Sequence, residues 1–220
     1  MITLKEVKND PHVIEFINQS EVALAALSYT DHGFGHADLV SKRAVKIAKE
    51  IGFSRKEQEL SAIASFCHDM GNFLSRRNHN YFGALLFHQV FGEKHSPKDV
   101  VTIMHAIANH DKGDMAFINP ISAVTVLADK SDVRRSRVIT KDMKEIRTDI
   151  HDRVNYATRK SFLEIDKKKK KICLVLEIDT KFVPIMEYFE IFTERMVYCR
   201  KAAEYLNYDF GLVINKFKLL

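Results

Sequence analysis

Six residues of this 220-residue chain have the types and the order of a metal centre: His36, His68, Asp69, His79, His110 and Asp129. The densest point is Ser65-Phe66-Cys67-His68-Asp69-Met70-Gly71-Asn72, where an apolar helical run (Leu60, Ile63, Ala64, Phe66) ends in adjacent His and Asp. Burying such groups without partners costs several kcal/mol, so a bound cation is the simplest account of them. Mixed imidazole and carboxylate donors suit Fe, Mn, Co, Ni or Zn, and the lack of nearby cysteine ligands argues against a structural zinc site. Each of the six lies on or beside an apolar helical stretch, and side chains from several helices can converge in the core of a bundle.

Other polar residues compete for roles. His32 reads as an outer or loop residue, because its neighbour His36 fits a ligand position better. His105 precedes His110 by about one and a half helical turns and is aimed elsewhere, which favours packing or an outer-sphere role over a third metal site. His12, His88, His95 and His151 read as surface or cap residues. Arg76 and Arg77 stand before His79, where a guanidinium could take phosphate in a bidentate contact; an exposed loop pair explains them equally well. Lys130 could neutralise substrate charge or pair with an acid. Arg134, Arg135 and Arg137 read as a solvated helix face, and Lys167 to Lys171 as a solvated turn between strands, which disfavours nucleic acid as a partner.

The elements that must position these groups are helical as far as about residue 139. Asp10 and Pro11 open a helix over 10–28. A second covers about 36–51 with Leu39, Val40, Ala44, Ile47, Ala48 and Ile51 on one face, stopped by Gly52. Ser54 and Glu57 form a capping box for a helix over 55–70. Further helices run from Tyr81 to Phe91, from Ser96-Pro97 to Asn109, and over 121–134. Beyond 140 the pattern changes: a polar helix (141–157), a hairpin of Ser161–Ile165 and Ile172–Ile178, a long amphipathic helix (182–206), and a last apolar run, Leu212 to Leu220, as a third strand. The expected class is mainly α, a helical bundle over 1–139 with a small α+β appendage over 140–220 that serves dimerisation or caps the substrate.

The ordered set His36, His68-Asp69, Asp129 resembles the signature of the HD-domain superfamily of metal-dependent phosphohydrolases. The flanks agree: Asp31-His32-Gly33-x-x-His36, His68-Asp69-Met70-Gly71, and Ala128-Asp129-Lys130 followed by Arg134 and Arg135. His79-x-x-x-Gly83-Ala84 and Ala106-Ile107-x-x-His110-x-x-Gly113 resemble the extra histidines of two-metal members, such as the HD-type diadenosine-tetraphosphate hydrolases and the HD-GYP cyclic-dinucleotide phosphodiesterases. The resemblance covers roughly 28–137. It implies one metal held by His36, His68, Asp69 and Asp129, and a second bridged by Asp69 and held by His79 and His110. Two ions about 3.5–4 Å apart can activate water as a metal-bound hydroxide and clamp a phosphoryl oxygen. Asp69 and Lys130 would then be catalytic, with Arg76, Arg77 and Lys130 on the substrate. The Gly-Tyr-Pro stretch of the cyclic-dinucleotide enzymes is missing after Gly113, where the chain reads Asp114-Met115-Ala116-Phe117; that speaks against cyclic-di-GMP as substrate.

Composition narrows the class. With 46% hydrophobic and 29% charged residues the chain reads as a soluble globular protein. No apolar run approaches the roughly 18 residues of a membrane span, and Met1 to Pro11 is too polar for a signal peptide. Three scattered cysteines, Cys67, Cys173 and Cys199, fit a reducing cytoplasm. The net charge of +5 is concentrated in the last third: 17 basic and 16 acidic residues to position 139, then 17 and 13. The leading expectation is a cytoplasmic phosphohydrolase, one or two divalent transition metals per chain, acting on a phosphorylated small molecule or nucleotide, as a candidate homodimer. Its rivals are a di-iron oxygenase of the same fold and a non-catalytic metal- and nucleotide-binding regulatory module.

Overall fold

The computed structural model describes residues 1–113 and 116–219. Asp114 and Met115, in the stretch compared with Gly-Tyr-Pro, and Leu220, at the end of the last apolar run, lie outside the described residues. The chain divides into two compact units, Met1–Asp129 and Lys130–Leu220. It is mainly helical, with one small sheet in the second unit.

The first unit is built from α1 (Leu4–Asn9), α2 (Pro11–Ala26), α3 (Phe34–Ile51), α4 (Arg55–Cys67), α5 (His79–Phe91), α6 (Pro97–Asn109) and α7 (Pro120–Lys130). Its boundaries follow local chemistry. Asp10 ends α1 and caps α2, accepting the His12 amide at 2.9 Å, with Pro11 at the first helical position. Gly52 closes α3 in the left-handed region at φ 96°. Ser54 and Glu57 make the full capping box at the start of α4.

Helix α4 is the central rod, packed against α3 and α6 and buried along its whole C-terminal half from Leu60 to Cys67. Helix α5 packs on α6, and α1 on α2 and α4. Phe66, Phe87, Phe91, Ile103 and Ile107 are at most 2% exposed, each burial contributing about 1.5–3 kcal/mol. The outer face of α3 carries Lys42, Lys46 and Lys49, as its period requires. The packed C-terminal half of α4 thus delivers its last residues, and the His-Asp pair after them, into the interior.

The second unit departs from expectation in detail. The polar stretch 141–157 is two helices, α8 (Met143–Thr148) and α9 (Ile150–Ala157), because Asp149 leaves helical geometry and caps α9 by accepting the Asp152 amide at 2.9 Å. The helix expected over 121–134 stops at Lys130. Asp132 is fully buried and pairs with Arg134 Nε at 2.9 Å, while Arg137, only 2% exposed, donates to the Asp132 carbonyl at 3.2 Å. Arg134 and Arg137 therefore anchor a loop instead of forming a solvated face; Arg135 is exposed, over the Tyr156 ring at 4.3 Å.

Strands β1 (Thr158–Asp166) and β2 (Lys171–Ile178) form the antiparallel hairpin. Its turn is the exposed run Lys167 to Lys170, held by Asp166 Oδ1, which accepts the Lys168 and Lys169 amides at 3.0 Å. Helix α10 (Ile185–Tyr205) then crosses over so that β3 (Asp209–Ile214) lies parallel to β2. The last apolar run supplies two strands, not one: Asn215 and Lys216, both at positive φ, turn β3 into β4 (Phe217–Lys218).

Candidate metal centre

The six polar residues singled out by type and spacing come together inside the first unit, all at helix ends or in a first turn. His36 is the third residue of α3, His68 the cap residue after α4, and His79 the first residue of α5. His110 caps α6, and Asp129 is the penultimate residue of α7. Helix ends suit this task because the last turn leaves carbonyls without helical partners. His68 Nδ1 turns back on the Ser65 carbonyl at 2.8 Å and His110 Nδ1 on the Ile107 carbonyl at 2.7 Å. His79 does the same with Arg76, at 2.9 Å, in the turn before α5. A carbonyl only accepts, so all three rings carry their proton on Nδ1 and aim Nε2 inward, the tautomer a metal ligand needs.

The inward atoms fall into two tight sets, with His68, His110 and Asp129 also within 4.8 Å of one another across them. His36 Nε2 and His68 Nε2 are 3.1 Å apart, with Asp69 Oδ2 at 3.7 and 3.2 Å and Asp129 Oδ1 at 3.4 and 3.5 Å from them. His79 Nε2 and His110 Nε2 are also 3.1 Å apart, and they face the other oxygen of Asp69, Oδ1, at 3.1 and 3.6 Å. The four histidines are at most 2% exposed and both aspartates 7%.

This donor set fits cations. In the neutral state His79 and His110 present lone pairs to one another across 3.1 Å, and two acceptors that close require a proton or a metal ion between them. The electrostatics say the same. Burial lowers the pKa of His68, but the Asp69 and Asp129 carboxylates outweigh it and hold the imidazolium up to about 10. Burial raises Asp69, yet the His68 charge and, where the inward Nε2 atoms carry protons as well, hydrogen bonds from His110, His68 and His79 keep it well below the usual carboxylate range. The cluster demands positive charge, which divalent ions would supply in place of protons. His36, His68, Asp69 Oδ2 and Asp129 would hold one ion; Asp69 Oδ1, His79 and His110 the other.

The remaining candidates separate. Arg76 reaches the cluster, with Nη1 at 3.0 Å from Asn72 Oδ1 and 3.4 Å from His79 Nε2; Arg77 is exposed. Lys130 is buried at the end of α7, directly after Asp129. His32 is buried with its ring centre 5.6 Å from that of His36, and its Nδ1 meets the Thr30 carbonyl. His105 pairs with Asn119 at 2.9 Å. His12, His88 and His151 are exposed, and His95 meets Glu6 at 2.8 Å.

Two polar residues escape sequence reasoning. Asn72 donates from Nδ2 to the Asp69 carbonyl at 2.8 Å and to Asp69 Oδ1 at 3.0 Å, fixing the shared carboxylate. Asp111 places Oδ2 3.9 Å from His79 Nε2. The only sign of either was position: Asn72 three residues after Asp69 in a turn, Asp111 next to His110.

Comparison with known proteins agrees with the arrangement. The chain is 25% identical over 155 residues to an uncharacterized protein of Methanocaldococcus jannaschii, an alignment covering 60% of each chain. It therefore spans about three fifths of that relative's length. The family model described as HD domain matches residues 33–144, which take in all six inward-facing residues. With more than half its length matched, and its paired histidines and aspartates gathered at helix ends, the chain belongs to the HD-domain family.

Proposed function

We propose that this chain is a metal-dependent phosphohydrolase with a two-ion centre, hydrolysing a phosphorylated small molecule or a nucleotide. One observation carries the reading: the two oxygens of Asp69 face two separate histidine pairs, Oδ2 towards His36 and His68, Oδ1 towards His79 and His110. A carboxylate can bridge two cations, whereas a neutral imidazole ligates one. Divalent ions held there by His36, His68, Asp69, Asp129, His79 and His110 would supply an acidified water and a Lewis-acid clamp for phosphoryl oxygens, and the all-nitrogen-and-oxygen donor set suits Mn, Fe, Co, Ni or Zn.

The chain's own groups would do the rest. Asn72 would hold Asp69 with one oxygen towards each histidine pair. Arg76, beside His79 and over the Tyr29 ring at 5.4 Å, offers a guanidinium to an anionic group. Lys130, next to Asp129 in the chain, would add a second cation for the substrate. No side-chain nucleophile is called for.

The test is turnover of a panel of phosphomonoesters, phosphodiesters and nucleotides with Mn, Fe or Co, in the native chain and in Asp69→Ala. Loss of both metal and turnover in the variant is expected. Retained hydrolysis in Asp69→Ala would refute the reading, and iron-dependent O₂ consumption without hydrolysis would replace it with oxygenase chemistry. Tight binding of metal and nucleotide without turnover would point instead to a regulatory module.

A further inference from the structure

Arg76 stands where it can decide whether the second ion binds. His79 gives its Nδ1 proton to the Arg76 carbonyl at 2.9 Å, so a neutral ring has its one lone pair at Nε2. The guanidinium of Arg76 reaches that same atom, Nη1 to Nε2 at 3.4 Å. It is steadied by Asn72 Oδ1 at 3.0 Å and by the Tyr29 ring beneath it at 5.4 Å. Asn72 in turn donates to Asp69 Oδ1 at 3.0 Å, the carboxylate oxygen that faces His79 and His110. One donor of the second set, His79 Nε2, thus faces the Arg76 guanidinium, which Asn72 links to the Asp69 carboxylate. A fixed positive charge also stands beside the position an incoming cation would take, and like charges that close repel.

The two ion positions are unequal in donors as well. Four side chains converge on the first: His36, His68, Asp69 and Asp129. Among the described residues the second has three: His79, His110 and the shared Asp69.

We propose that Arg76 guards the second metal position, and that a phosphate group releases the guard, so that the second ion and the anion bind together. A phosphate matches the guanidinium fork in shape and charge far better than an imidazole lone pair does. Drawn onto phosphate, Arg76 frees His79 Nε2 for the metal while the anion offsets the added positive charge. Linkage requires the converse: the second ion strengthens phosphate binding by the same factor. The chain would then hold one resident ion and complete its centre only on a phosphorylated ligand. This rests on the two-ion reading above.

Equilibrium dialysis against Mn²⁺ with elemental analysis, with and without inorganic phosphate, tests it in the native chain, Arg76→Ala and Arg76→Gln. In the native chain the second ion is expected to bind about tenfold tighter with phosphate, within the range usual for coupled sites. In both variants it should bind about tenfold tighter than in the native chain without phosphate, and the phosphate effect should vanish. Unchanged tight binding of the first ion shows that the variants are folded. Two ions in every protein, with no effect of the Arg76 substitutions, would overturn the guard and leave the two-ion reading standing. A single ion in all three proteins under every condition would overturn both.

Discussion

Gly71 and Gly83 meet backbone to backbone: a Cβ built on Gly71 would lie 2.5 Å from the Gly83 amide nitrogen and 2.2 Å from the His79 carbonyl oxygen. This approach lets the turn that carries Asp69 lie against the first turns of α5, which carries His79. Gly71→Ala must push that backbone aside, because no flexible side chain can yield there. The expected cost is about 1–3 kcal/mol, with weaker metal binding at the His79–His110 pair than at His36–His68. Chemical unfolding and metal stoichiometry would show it; an undisturbed variant would mean that the contact does not position α5.

His110→Ala removes one of the donors that belong to the second set alone. Metal content should fall from two ions per chain to one, measured with phosphate present so that the native chain is full. Content unchanged by the substitution would demote His79 and His110 to packing or substrate contacts.

Asn72→Ala leaves Asp69 without the amide that orients it. Because Asp69 serves both sets, affinity at both positions is expected to drop, by roughly 10–100-fold for the loss of such a supporting contact. Loss confined to one position would show that Asn72 does not orient the whole carboxylate.

The pH response follows from two opposed shifts. His68 is raised to about 10 in the metal-free protein, through Asp69 and Asp129 prevailing over burial. Its contribution to stability is fully present below its ordinary value of 6.5 and is lost as pH rises through about 10. Asp69 is depressed below its ordinary 3.8, so its contribution is present above that value and is lost as pH falls through the lower folded one. As far as this pair decides it, the chelated protein should be most stable between about pH 4 and pH 6.5 and weaken towards pH 10. Metal affinity should run the other way above neutrality, rising with pH, because the ion displaces a proton from His68. Unfolding midpoints across that range, with and without chelator, measure both slopes; a flat profile for the chelated protein above pH 6.5 would contradict the His68 assignment.

In the second unit, Asp132→Ala strips the buried Arg137 of a carboxylate 3.9 Å away and breaks the 2.9 Å contact to Arg134. Removing one partner of a buried ion pair typically costs about 3–5 kcal/mol. Thermal unfolding is the measurement, and a shift of less than about 1 kcal/mol would show that Arg137 finds compensation elsewhere.

Much of the helical unit was legible because its signals are local. The Ser54–Glu57 capping box, Pro11 and Pro97 at helix starts, Gly52 at a helix end and the face of α3 are set within a few residues of chain. The break at Asp149 is local too, but a carboxylate inside a polar stretch reads equally as cap or as exposed helix until the chain around it is placed. The fourth strand was hidden by brevity, since β4 is two residues long and exists through its pairing with β3.

Types and order named the six inward-facing residues, because few partners other than a cation satisfy buried imidazoles and carboxylates together. Which oxygen of Asp69 faces which histidine pair, why Arg76 reaches His79 while its neighbour Arg77 stays exposed, and how Asn72 ties the two together are distances across α4, α5, α6 and the turns between them. Such distances depend on how helices pack, down to the close approach of Gly71 to Gly83, and packing is a property of surfaces that meet only in the folded chain.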